Sequence, residues 1–307
     1  MSPSLMTPRR AIVALARVVA TMAASVALLP AALAAQGSSA VQPIDRRLPL
    51  NANGLVKIFN YAGAVRLVGW ARDTVAVTGT IRARQQFFMG GSATGIKLGV
   101  EGETGVGAEL TVSVPTGARV WIRTSTGDVD VRAFTGSLDV GTVQGRVRVQ
   151  AQPSELTVES MAGDIDVSSS PRYLRVRSAS GTVLWNGSSE DAAITTVGGA
   201  ITVRAGVVTH ARLESVSGTV QYTGGVVRGG RLELDSHGGD VSAALSRNAV
   251  ADLEVDAPES SVLGVRTTRP ALDARRAQVI KTLAREGVAG AQVVLRSFKG
   301  RATITQP

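Results

Sequence analysis

The chain has 307 residues, of which 44% are hydrophobic and 19% charged, with 33 Lys and Arg against 24 Asp and Glu and a formal charge of +9. It contains no cysteine, which excludes disulfides and thiol chemistry, and only two histidines, which excludes a clustered His/Cys zinc site. The charges alternate in sign and no basic run is interleaved with aromatic residues, a pattern that does not point to nucleic acid.

Residues 1–35 read as a secretory signal peptide. Arg9 and Arg10 precede an apolar run from Ala11 to Leu29, and Ala32, Leu33 and Ala34 form an A-x-A cleavage site. The alternative, a retained anchor helix, is opposed by Arg17 within the run and by Pro30. Export to the periplasm, the outer envelope or the medium follows. Loss of Arg9, Arg10 and Arg17 with the leader leaves 30 basic and 24 acidic residues, a formal charge of +6. This excess suits weak attraction to anionic envelope polymers.

After a linker over 36–53, residues 54–119 form an N-terminal β cap. Its first part, "GLVKIFNYAGAVRLVGWARDTVAVTGTIRA", alternates like three strands, and residues 87–107 are expected to be a glycine-rich loop. Over 120–263 the chain repeats. Val129, Val147, Ile165, Val183 and Ile201 recur at steps of 18, and Val120, Leu138, Leu156 and Leu174 form a second column at the same step. This second column continues with looser spacing through Ile194, Leu213, Leu232 and Leu253. Two strands per repeat are predicted, with alternate residues inward as in "VDV" and "LRV". Turns of the type "TSTG", "SMAG", "SASG" and "SVSG" separate them, and their glycines are expected to supply special backbone dihedrals. Residues 264–307 hold an insertion, with a short helix around "ALDARRAQVIKTLAREG", and a last capping rung in "AQVVLRSFKGRATI".

A repeated register of this kind predicts an all-β fold, a parallel β-solenoid whose rungs are about 18 residues long and contain two strands. A β-sandwich of meander strands is the alternative. The strings "GAVRLVGWARDTVAVTG" and "LTVSVPTGARVWIRTSTGDVDV", the iterated L-x-V-x-S-x-x-G-x-V-x-V and the terminal "VVLRSFKGRATI" resemble the bacterial putative-adhesin family of exported β-strand-repeat domains of unknown function. The resemblance covers roughly residues 50–307. It implies an exported solenoid with an adhesive role and carries no catalytic residues over.

Stacking at a step of 18 sets Asp128, Arg146 and Asp164 in one outward column, followed by Thr182, and Asp130, Arg148 and Asp166 in the next. An arginine in the middle of each column disfavours calcium, which wants converging oxygens, and predicts solvated salt-bridge ladders that fix register. Trp121 should point outward in one column with Asp139, Thr157 and Arg175. Trp121, Arg175 and Asp139 are therefore the candidate ligand contacts, with the indole as a sugar-stacking platform unless the cap or the 87–107 loop covers it. Phe87, Phe88 and Met89 share that ambiguity, whereas Trp185 and Tyr222 fall on inward columns.

No cofactor or metal site is expected. "GETGVG" at 102–107 lacks the Lys and Ser or Thr of a phosphate loop. Asp235, Ser236 and His237 are neighbours at a turn, not a catalytic triad, and His210 stands apart. The sequence predicts a non-enzymatic, adhesin-like surface or envelope protein with an envelope polysaccharide or another envelope protein as partner. An envelope scaffold or stress-linked protein that binds another protein, and a polysaccharide-active enzyme built on a β-helix, are the alternatives.

Overall fold

The computed structural model describes residues 41–103, 105–263, 271–273, 278–282 and 290–306. The signal segment and most of the 265–290 insertion lie outside them. Every regular element among the described residues is a strand.

The N-terminal strands are β1 (Val41–Pro49), β2 (Leu55–Asn60), β3 (Gly63–Trp70), β4 (Thr74–Arg82), β5 (Gln85–Ser92), β6 (Gly95–Gly102) and β7 (Ala108–Pro115). The repeats follow as β8 (Arg119–Thr124), β9 (Asp128–Arg132), β10 (Ser137–Thr142), β11 (Val147–Gln150), β12 (Glu155–Ser160), β13 (Ile165–Ser168) and β14 (Tyr173–Ser178). Three long strands come next, β15 (Val183–Thr196), β16 (Ile201–Ser215) and β17 (Val220–Ser236), then β18 (Val241–Leu245), β19 (Ala251–Asp256) and β20 (Glu259–Leu263). The last are β21 (Ala271–Asp273), β22 (Gln278–Thr282), β23 (Ala291–Ser297) and β24 (Arg301–Thr305).

These strands build two parallel ladders. The first runs β6, β2, β8, β10, β12, β14 and then through the C-terminal halves of β15, β16 and β17 to β23 and β19. The second runs β7, β3, β9, β11, β13 and then through the N-terminal halves of the long strands to β18, β24 and β20. Consecutive strands of a meander would pair antiparallel; here β8 skips β9 and pairs parallel with β10. The step of 18 is the observed register, with Val129 opposite Val147, Val147 opposite Ile165 and Ile165 opposite Val183.

Alternation makes one face of each ladder apolar, and the two apolar faces share one core. Val120, Leu138, Leu156 and Leu174 from the first ladder and Val129, Val147, Ile165 and Val183 from the second all belong to it. Trp185 and Tyr222 are fully buried as their columns require. Each finds a backbone acceptor for its polar tip, the Trp185 Nε1–H on the Ser169 carbonyl at 3.0 Å and the Tyr222 hydroxyl on Gly225 at 2.7 Å.

The turns show why the motif is Ser/Thr-x-x-Gly. Its first residue is buried at Thr124, Thr142, Ser160, Ser178, Thr196 and Ser215. The hydroxyl closes the corner: Thr124 Oγ1 accepts the Gly127 N–H at 2.8 Å and donates to the Gly127 carbonyl at 2.9 Å. The same residue pair recurs at Ser215, which accepts the Gly218 N–H at 2.8 Å, and at Ser178, which donates to the Gly181 carbonyl at 3.1 Å. The glycines do not serve the purpose expected of them. None of Gly127, Gly145, Gly163, Gly181 or Gly218 has a positive φ. From Gly145 onward they are required because a Cβ would overlap the carbonyl oxygen of the glycine one turn back, as at Gly181 on Gly163 and at Gly199 on Gly181.

Four expectations are corrected at the ends. The segment expected as a linker over 36–53 contains a strand, β1, which pairs antiparallel with β4 along its whole length. Residues 87–107 are not a loop: β5 and β6 form an antiparallel hairpin, whose alternation is masked in sequence by Gly90, Gly91, Gly95 and Gly99. The described parts of the expected helix, β21 and β22, are strands, and β22 pairs antiparallel with β19. Leu232 does not stack on Leu253, because the last strands of the chain come between them: Leu232 faces Val293 and Val293 faces Leu253. At the other end β2 and β3 likewise lie between β6/β7 and β8/β9.

Candidate interaction face

The outward positions of the first ladder place Trp121 beside Asp139, Asp139 beside Thr157 and Thr157 beside Arg175. The sequence-based column is therefore real, with one side chain per strand at a spacing of about 4.8 Å. Its members do not converge on one ligand. Asp139 accepts from Arg123 Nη1 at 2.8 Å, and Arg175 grips Asp191 through Nη2 at 2.7 Å and Nη1 at 3.3 Å.

The cap does not bury Trp121, which is half-buried beside cations. Lys57 on β2 sets its Nζ 5.1 Å from the indole centroid, and the Arg123 guanidinium lies 4.2 Å from it. Phe59 meets the indole edge-on at 6.4 Å. Lys97 on β6 extends the pattern, with its Nζ 5.1 Å from the Phe59 ring and 5.3 Å from Phe88. Gly99 leaves room for this: a Cβ there would crowd Phe59 and come 3.0 Å from Phe88 Cζ. Each cation–π contact at such a partly exposed site contributes about 0.5–1 kcal/mol and holds the charge in place. The indole therefore acts as a support for cations more than as an open sugar platform. Phe87 and Met89 pack partly buried against the core.

The second ladder carries the two acid and base columns, and only one of them contains the expected ion pairing. Arg148 sits between Asp130 and Asp166 and pairs with Asp166 at 3.5 Å, while Asp130 binds Arg132 two residues on at 2.8 Å. In the other column the carboxylates satisfy backbone amides instead. Asp128 Oδ1 accepts the Arg146 N–H at 2.8 Å, and Asp164 Oδ1 accepts the Thr182 N–H at 3.0 Å and its hydroxyl at 2.8 Å. The Thr182 hydroxyl and amide hold the Asp164 carboxyl below its usual range. Asp240 repeats the device on the Arg301 N–H at 2.8 Å. An amide at the start of a strand needs an acceptor, and an Asp one strand away supplies it.

Around "LDSHGGD", Asp235 and Ser236 end strand β17 and His237 opens the turn. Ser236 is buried and donates to the Gly218 carbonyl at 2.9 Å, while the His237 ring stacks on Phe298 at 4.7 Å. Asp235 faces outward beside Glu214, and its carboxyl is raised by burial and by the Glu214 charge. The stacked turns also align Val143, Met161, Val197, Val216 and Phe298, all exposed, along one corner.

No protein-family model and no curated protein matches the chain. Several solved structures are similar to it. One, described as a "putative adhesin" from Bacteroides fragilis, is 14% identical over 87% of this chain and 97% of its own, with a TM-score of 0.38. A second "putative adhesin", from Parabacteroides merdae, is 10% identical over 88% and 98%, with a TM-score of 0.42. A "putative cell adhesion protein" from Clostridium sporogenes is 8% identical over 87% and 100%, with a TM-score of 0.19.

Lys57, Phe59, Lys97, Arg119 and Arg123 were not legible as site residues. Alternation in "LVKIFN" and "GIKLGV" shows that Lys57, Phe59 and Lys97 point outward, but nothing local shows that β2 lies against β8. Among the described residues no helix is long and apolar enough to cross a membrane.

Proposed function

We propose that the protein is an exported, non-enzymatic β-solenoid that binds an envelope polymer in the manner of an adhesin, through the outward face of its first ladder. The observation that carries this reading is the long in-register row of polar side chains through Trp121, Asp139, Thr157 and Arg175, one per strand. A polymer that repeats along its own axis can engage such a row at many points, and weak contacts in series give useful avidity. The solenoid assignment is supported by parallel pairing of residues 18 apart, and export by the leader-like segment at residues 1–35. A binding role is favoured over catalysis because Asp128, Asp139, Asp164 and Asp191 are engaged by backbone amides or arginines.

Labelled residues 36–307 should bind one polysaccharide or envelope fraction saturably, and Trp121→Ala should weaken that binding without a large change in melting temperature. Absence of binding to every polymer, with recovery of one specific envelope protein, would replace this reading with that of a scaffold. A second reading, a polysaccharide-active enzyme, draws on the Glu214 and Asp235 pair, where a raised carboxyl stands beside a second acid and within reach of the Arg212 and Arg296 charges. New reducing or unsaturated sugar ends, abolished in Asp235→Asn, would establish it.

A further inference from the structure

Lys57, Lys97 and Arg119 point outward from the three adjacent strands β2, β6 and β8, and Arg123 stands two residues beyond Trp121 on β8. Across β2 and β8 the outward residues are Leu55, Lys57, Phe59, Arg119, Trp121 and Arg123, with no acid among them. Glu101, at the far end of β6, and Asp139, on β10, are the carboxylates that border the patch, and Asp139 is already held by Arg123. Lys57, Lys97 and Arg119 have no ion-pair partner among the described residues. The C-terminal strands of the same face differ: Glu214, Glu233, Asp235 and Glu254 point outward there, and the cations among them, Arg212, Arg231 and Arg296, are each paired with one of these acids. The surface is therefore polarised along the ladder, a distinction that the formal charge of +9 does not reveal.

Resting on the polymer-binding reading above, we propose that this cationic patch selects acidic polysaccharide. Carboxylates along a sugar chain would meet Lys57, Lys97 and Arg119, and the Trp121 and Phe59 rings would keep Lys57 and Lys97 at fixed positions, while Arg123 stays with Asp139. Ordered cations lose less side-chain freedom on meeting an anion. The same geometry disfavours single-stranded nucleic acid, since base stacking needs open aromatic faces and these rings already have an ammonium or guanidinium group against them.

The test compares binding of the purified protein to polygalacturonate, to neutral dextran, to a poly(dT) oligonucleotide and to vesicles containing anionic phospholipid. Polygalacturonate should bind tightest and weaken as salt rises. The Lys57→Gln/Lys97→Gln/Arg119→Gln variant should lose about tenfold or more in affinity, because charge contacts of this kind dominate recognition of a polyanion. Its melting temperature should stay near that of the unmodified protein, and Glu254→Gln should bind no more weakly than wild type. Equal, salt-insensitive binding to dextran and polygalacturonate would overturn selection for acid while leaving the polymer-binding reading intact. Tighter binding to poly(dT) or to vesicles, or full affinity in the triple variant, would also overturn it. Failure on every probe and on the envelope fractions would remove both proposals.

Discussion

Between β8 and β18 the chain order and the stacking order coincide, whereas at both ends they diverge. In the middle, each strand pair lies against the pair that precedes it in the chain, so a step of 18 residues, lengthening to between 19 and 21 at β17 and β18, fixes its neighbours. At the N-terminal end β2/β3 separates β6/β7 from β8/β9, and at the C-terminal end β23/β24 separates β17/β18 from β19/β20. Ladders of this kind can be lengthened by any strand pair with the right alternation, whatever its distance along the chain. One consequence is that β23 and β24, which follow the break in the repeat, hold fully buried residues such as Leu295, Ala302 and Ile304.

The largest expected effects test that contrast directly. Ile165→Asp, in the regular middle, should cost about 4–5 kcal/mol or more, the size of an unpaired charge placed in a packed core, and unfold the protein. Leu295→Asp should be as damaging, because its strand is internal to the stack; a mild, local loss of protection around 291–305 in hydrogen exchange would contradict the insertion. Asp166→Ala, the outward neighbour of Ile165 in an exposed pair, should shift stability by no more than about 1 kcal/mol.

Next in size is a pair of adjacent glycines. Gly199→Ala should destabilise strongly, since its new Cβ would overlap the Gly181 carbonyl oxygen, while Gly198→Ala should be nearly neutral, its nearest neighbour being 3.8 Å away. Equal melting temperatures for the two would mean that the glycine column does not transmit the stack.

The smallest effects are electrostatic and of opposite sign. The Asp164 carboxyl is lowered in the fold, so its stabilising contribution is present above the unfolded value near 3.9 and is lost as pH falls through the folded value. Asp164→Ala should therefore melt earlier at pH 7 and converge with wild type in acid. The Asp235 carboxyl is raised, so ionising it opposes folding above the folded value, and that penalty disappears as pH falls below the unfolded one. Asp235→Asn should melt later at pH 7 and lose the advantage in acid. Both shifts should be within about 3 °C after solvent screening.

Particular residues show what was legible. Trp185 and Tyr222 could be assigned inward from alternation alone, and the Trp121, Asp139 and Arg175 column from the repeat. Asp128 and Asp164 could be placed on a column, but their bonds to the Arg146 and Thr182 amides depend on where the turn presents its donors. The aromatic and cationic patch was hidden more deeply, because Lys57 and Trp121 stand 64 residues apart and belong to strands that no shared period connects.

Sequence by itself determined the all-β character, the strand alternation, the 18-residue register of the middle and the Ser/Thr-x-x-Gly corner, because each follows from contacts between near neighbours or from one repeated step. Tertiary structure alone decided the order of the end strands, the assembly of the cations around Phe59 and Trp121, and the reason for the glycine column. Those depend on which distant backbone lies 4.8 Å away, a spacing that hydrogen bonding fixes for any strand and that local sequence leaves open.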